Sequence, residues 1–216
     1  MNLDFRKEFN LFISVGPACR PAEALRRAKL REISSPFDWM MAYKLEVIPN
    51  FFENGFSNFF SKINEINRNN GNKRFILDKD TGMISMHDFP TNLTYEEFYP
   101  MFLEKMTKRF DRLIDSIVAS QNICFTGNRD VELCDIENFL SKVDTIFPGK
   151  NISFLNVCNS KDSKKCVYNK QGNLEIILFY FDDVYSGPNK FDNWKGNVEE
   201  WDIMLSKFSL IKLDAC

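Results

Sequence analysis

Cys19 and His87, the latter the single histidine of the chain, are the residues whose types and surroundings best suit covalent chemistry. Cys19 follows the apolar run 9–15 and the turn Gly16-Pro17. It precedes a segment, 21–31, whose opening proline and Ala/Leu/Arg content predict a helix. A thiol at a helix start gains from the partial positive charge and unbonded N–H groups of the first turn, which favour the thiolate. Arg20 and the same backbone N–H groups are placed to hold the oxyanion that forms when sulfur attacks a carbonyl. The competing reading makes Cys19 a small buried residue filling space between strand and helix.

A nucleophilic cysteine needs a base that takes its proton and later protonates the leaving group, and imidazole does this best near neutral pH. His87 stands at the expected end of a strand, followed by Asp88-Phe89-Pro90, where its side chain would leave the sheet toward a cleft. Two carboxylates compete to orient the ring. Asp88 serves only if the strand has ended, because neighbours within a strand point to opposite faces. Asp38 is the other candidate, although Ser35, Pro36 and Asp38 also read as a capping box opening a helix through Lys44.

Other constellations point elsewhere. Asp182 and Asp183 end an apolar strand and would suit a divalent cation with a phosphorylated substrate, giving a metal-assisted transferase as the alternative activity. A solvated turn is the competing reading of that pair. Lys105, Lys108, Arg109 and Arg112 form a basic helix face, expected to be solvated opposite a phenylalanine stripe. Trp194 and Trp201 read as core or lid residues. A non-catalytic binding domain with an aromatic surface is the third reading.

These residues need a scaffold, and the pattern supplies one. The run 9–15 predicts a buried strand, the segment 49–66 a helix despite Gly55, and 67–72 a loop. Two short strands then fall within 73–86. Thr94 and Glu97 predict a capping box before a long helix whose apolar stripe runs Phe98, Phe102, Met106, Phe110, Leu113 and Ile117, with Pro100 expected to kink or restart it. Beyond it, strands at 123–125, 152–157, 174–181 and 208–213 alternate with helices at 131–147 and 197–205. Polar loops are expected at 159–172 and 186–196. Such alternation predicts an α/β fold, a mixed or mainly parallel sheet flanked by helices, in one domain spanning 1–216.

Composition narrows the function classes. The chain has 216 residues, 44% hydrophobic and 27% charged, enough for a sizeable core, and 22 phenylalanines favour one packed with rings. A net charge of −2 gives no global basic field, so nucleic acid is not an expected partner. No stretch reaches the roughly 18 apolar residues of a membrane helix, and none is expected. Six scattered cysteines without a CxxC pair argue against structural zinc and suit a reducing, cytoplasmic setting. No cofactor is called for, and the oligomeric state stays open.

The residues Ser14-Val15-Gly16-Pro17-Ala18-Cys19, then Ser35-Pro36-Phe37-Asp38-Trp39 and His87-Asp88-Phe89, resemble an uncharacterised family of papain-like cysteine peptidases. That family opens with a strand, an SLG triplet, a cysteine, a helix and a PFDW block; here Val15 replaces the leucine. The resemblance is specific over 12–39, supported at 87–89 and near 108–110, and diffuse in the C-terminal half. It implies a cysteine hydrolase or acyltransferase acting on a peptide or other acyl substrate, and an α+β papain-like architecture as the alternative fold.

Overall fold

The computed structural model describes residues 6–162 and 164–211. The expected strand at 9–15 is broken at Asn10 into β1 (Lys7–Phe9) and β2 (Leu11–Ser14). The Asn10 side-chain oxygen accepts the N–H groups of Gln121 and Asn122, 3.2 and 2.9 Å away, so the chain turns between two different strand partners. Helix α1 (Cys19–Arg27) starts earlier and ends sooner than expected. Pro21 occupies its third position, where a missing N–H forfeits no intrahelical bond. Lys29 adopts φ 59° and Leu30 N–H donates to the Leu25 carbonyl at 2.9 Å. This is a glycine-type helix ending built on a lysine, which hides it from sequence reading.

The Ser35–Asp38 box forms but caps no helix: Phe37 N–H donates to Ser35 Oγ (3.1 Å), Ser35 N–H donates to Asp38 (3.0 Å), and the chain turns into β3 (Met40–Met41). The predicted helix at 49–66 is also corrected. Helix α2 (Val47–Asn54) stops at Gly55, φ 73°, and the remaining phenylalanines line a turn where Phe51, Phe56 and Phe59 stack at 4.4–5.4 Å. Their helical spacing reflects ring packing. Strand β4 (Ile63–Asn70) consumes most of the expected 67–72 loop and forms a hairpin with β5 (Lys73–Asp78), followed by β6 (Ile84–Ser85).

Helix α3 (Tyr95–Ala119) has the Thr94/Glu97 capping box and runs through Pro100 without restarting. Then come β7 (Asn122–Gly127), α4 (Leu133–Ile146), β8 (Asn151–Asn159), β9 (Lys165–Gln171) and β10 (Leu174–Phe181). Strand β9 replaces half of the loop expected at 159–172. A short 3-10 turn, Lys190–Lys195, lies in the expected loop 186–196, before α5 (Val198–Leu205) and β11 (Phe208–Leu210). The expected end of that last strand, 212–213, lies outside the described residues.

The fold is α/β, with mixed sheets. The main sheet has the order β2-β7-β8-β10-β9, its first four strands parallel and β9 antiparallel at the edge. An antiparallel sheet, β3-β6-β5-β4, stands apart from it, and β1 pairs with β11. Strand alternation divides the core by face. Ile123, Phe125, Phe154 and Ile176 pack with α3, α4 and the phenylalanine cluster; Cys124, Leu155, Ile177 and Phe179 pack with α1 and α5. No helix among the described residues is long and apolar enough to cross a membrane.

Candidate active site

The parallel strands β2 and β7 finish at the same edge of the main sheet, the edge where open α/β sheets place ligands. Cys19 follows β2 there as the first residue of α1. Its N-cap, Ala18, has no side-chain oxygen to occupy the first-turn N–H groups, and Pro21 has no N–H to offer. The free donors of the turn are therefore those of Cys19 and Arg20.

His87 arrives from the other sheet, two residues beyond β6. Its Nε2 lies 3.5 Å from Cys19 Sγ. The ring packs against Trp39 in a T-shaped pair, 5.9 Å between centroids. The other ring nitrogen, Nδ1, faces neither expected carboxylate but the side-chain amide of Asn70, 3.5 Å away. Asn70 ends β4, after an irregular register between Ile66 and Asn69; such bulges re-aim side chains. The amide nitrogen and oxygen are interchangeable by a flip, so Asn70 can present Oδ1 to a protonated Nδ1. Sequence reading missed it because it sat in the polar run taken as a loop.

Three predicted roles are corrected. Asp88 accepts Ser85 Oγ at 2.6 Å and pairs with Lys105, so it is turned away from the imidazole. Asp38 is buried, paired with Arg31 and bonded by Ser35 N–H. It holds the turn before β3. Arg20 points its guanidinium away from the sulfur: Nε donates to the Trp194 carbonyl at 2.9 Å, and NH1 pairs with Asp183.

That ion pair also takes Asp183 out of the paired-carboxylate cation reading. The second oxygen of Asp183 accepts the Asn197 N–H and the Trp201 Nε1–H, each at 3.0 Å, leaving no oxygen of Asp183 free for a metal and Asp182 as a lone exposed carboxylate. Gly196 lets the chain approach this knot: a Cβ there would lie 2.2 Å from Asp183 Oδ1. Among the described residues no three His, Cys, Asp or Glu are grouped to hold a metal ion. Of the basic helix face, Lys105 pairs with Asp88 and Lys108 with Glu104; Trp201 is core and Trp194 half-exposed.

The electrostatics reverse the expectation of a resting thiolate. Burial pushes the Cys19 thiol up to about 11, against the lowering effect of the helix-start backbone, and the nearby Asp38 carboxylate adds to the rise. Burial likewise raises Asp38 to about 6, with Arg31 pulling the other way. A protonated sulfur beside an imidazole nitrogen is the arrangement for proton transfer during attack.

Comparison with known proteins agrees with the class that this geometry suggests. Residues 10–158 match the family described as "Putative papain-like cysteine peptidase", and the chain belongs to it. The match spans Cys19, Asn70 and His87 but stops before Asp183 and α5. An uncharacterized protein of Acanthamoeba polyphaga mimivirus is 26% identical over 223 residues, covering 91% of this chain and 98% of its own. No solved structure matches.

Proposed function

We propose that the protein is a cysteine-nucleophile hydrolase or acyltransferase acting on an amide or ester bond, with Cys19 as nucleophile and His87 as base. The 3.5 Å approach of Sγ to Nε2, between residues 68 positions apart, carries this reading. Sulfur attacks the acyl carbonyl while its proton passes to Nε2. The N–H groups of Cys19 and Arg20 hold the oxyanion. The C–N or C–O bond breaks as Nε2 returns the proton to the leaving group, and a thioester remains. Water or an acceptor then attacks it, His87 taking the incoming proton and returning it to sulfur.

Asn70 orients the ring in this scheme and stabilises the imidazolium, the place held by a carboxylate or amide in such sites. Peptides or other acyl compounds are the partners, with no role for nucleic acid, membrane or a cofactor. The whole chain acts as one domain in the cytoplasm, where a catalytic thiol stays reduced. The test is turnover of a panel of chromogenic esters and peptide amides by the native protein, Cys19→Ala and His87→Ala. Both variants should lose the activity, His87→Ala by about 10²-fold or more. Turnover that persists in Cys19→Ala overturns the proposal.

A further inference from the structure

Arg129, in the connection between β7 and α4, is 4% exposed and has no carboxylate partner among the described residues. Its guanidinium is satisfied by backbone carbonyls instead. Nε and NH2 both donate to the Val15 carbonyl, at 2.9 and 2.5 Å, and NH1 donates to the Tyr43 carbonyl at 2.8 Å. The cation also lies 4.5 Å from the centroid of the Tyr43 ring. Asn156, fully buried on β8, brackets Arg129 from behind: its Oδ1 accepts Arg129 N–H and its Nδ2 donates to the Arg129 carbonyl, each at 2.9 Å.

A buried cation without an ion pair is expensive, and its placement calls for a reason. One carbonyl it grips leads directly into the nucleophile turn, and the other belongs to the residue whose ring packs against that turn. Val15 is the last residue before Gly16, and Tyr43 sits against Gly16, where φ is 66° and an added Cβ would lie 2.6 Å from the Tyr43 hydroxyl oxygen. Asn128 N–H donates to the Gly16 carbonyl at 3.3 Å, a second tie from the same connection. The grip thus runs from the sheet centre, through Asn156 and Arg129, to the backbone leading into Cys19.

We propose that Arg129 is a positioning residue: by pinning the Val15 and Tyr43 carbonyls it sets the backbone of the Gly16–Cys19 turn, whose N–H groups meet the developing oxyanion. This inference rests on the hydrolase reading above. It predicts a selective defect. Attack on an ester passes through an oxyanion and needs the turn in place; alkylation by iodoacetamide displaces iodide at a saturated carbon and needs only the sulfur and its base.

The experiment measures both reactions at Cys19, by peptide mass, in the native protein, Arg129→Met and Arg129→Lys, with p-nitrophenyl acetate and iodoacetamide as probes. Arg129→Met should acylate about 10²-fold more slowly, with the full amplitude of a folded protein, while alkylation stays within about threefold. Arg129→Lys should lie between, because an ammonium lacks the fork that reaches both carbonyls. If Arg129→Met does not fold, Arg129→Lys decides: slowed acylation with retained alkylation supports the proposal. Native rates in both reactions overturn it, as does equal slowing of both, which is the mark of a purely structural role. Failure of the native protein to acylate at Cys19 overturns the hydrolase reading itself and the proposal with it.

Discussion

The Cys19 sulfur stands under opposing influences: the helix start favours the thiolate, while burial and the Asp38 carboxylate oppose it, and they prevail. The cysteine and the histidine were legible as a pair because the chain has one histidine and one cysteine at a strand-turn-helix junction. Their third neighbour was not legible. Nothing in an asparagine within a run of polar residues marks it out until the hairpin and its bulge bring it to the ring. Asp38 shows how a side chain's charge state depends on burial that sequence does not reveal. Its raised pKa means that the neutral form is favoured on folding. The associated stability is complete below pH 3.8 and lost as pH rises through about 6. Asp38→Asn should flatten the pH dependence of urea unfolding across that window. Ser35→Ala removes the acceptor of Phe37 N–H and should cost about 1 kcal/mol, measured by the same unfolding curves.

Among the elements, those with strong local signals stood where the pattern placed them: the capped helix α3, α4 and strands β8 and β10. The misreadings have local causes. Lys29 ends α1 in a conformation that glycine usually supplies, and the spaced phenylalanines after Gly55 serve a turn rather than a helix. Strand β9 hid in a polar segment because it is an edge strand, mostly exposed along its length. A backbone ladder with β10 holds it, reinforced by the Lys170–Glu175 ion pair at 3.2 Å. Glu175 on β10 bonds Lys7, Tyr168 and Ser153; burial pushes its carboxyl up, but the Lys7 and Tyr168 bonds outweigh that and bring it down to about 2. Stability from this knot is present above pH 4.5 and lost as pH falls toward about 2. Glu175→Gln should lower stability at pH 7 and remove that part of the acid sensitivity. The Arg20–Asp183 pair ties α1 to the start of α5. Asp183→Asn removes the charge partner of a largely buried guanidinium, leaving it only backbone carbonyls, and should cost about 2 kcal/mol, with no recovery on adding magnesium, read by thermal unfolding.

At the scale of the molecule, the α/β class followed from alternating strands and helices, but the separation of an antiparallel sheet from the main parallel one did not. In the small antiparallel sheet β5 and β6 fall in the segment that reads as two short strands, whereas β3 and β4 come from segments that read as helix and loop, and it is this sheet that delivers Asn70 and His87 to a cysteine held by the parallel one. The candidate site exists only where the two meet, so its parts lie far apart in sequence. The central claim is that His87 takes the proton of Cys19. Cys124 is buried. Cys134 is exposed and serves as the internal control, Cys166 is half-buried, and Cys216 lies outside the described residues. The decisive measurement is iodoacetamide labelling at pH 7 of native protein and His87→Ala, read by peptide mass at Cys19 and Cys134. Loss of the imidazole should slow Cys19 by about 10²-fold and leave Cys134 unchanged; equal Cys19 rates in the two proteins would contradict the dyad.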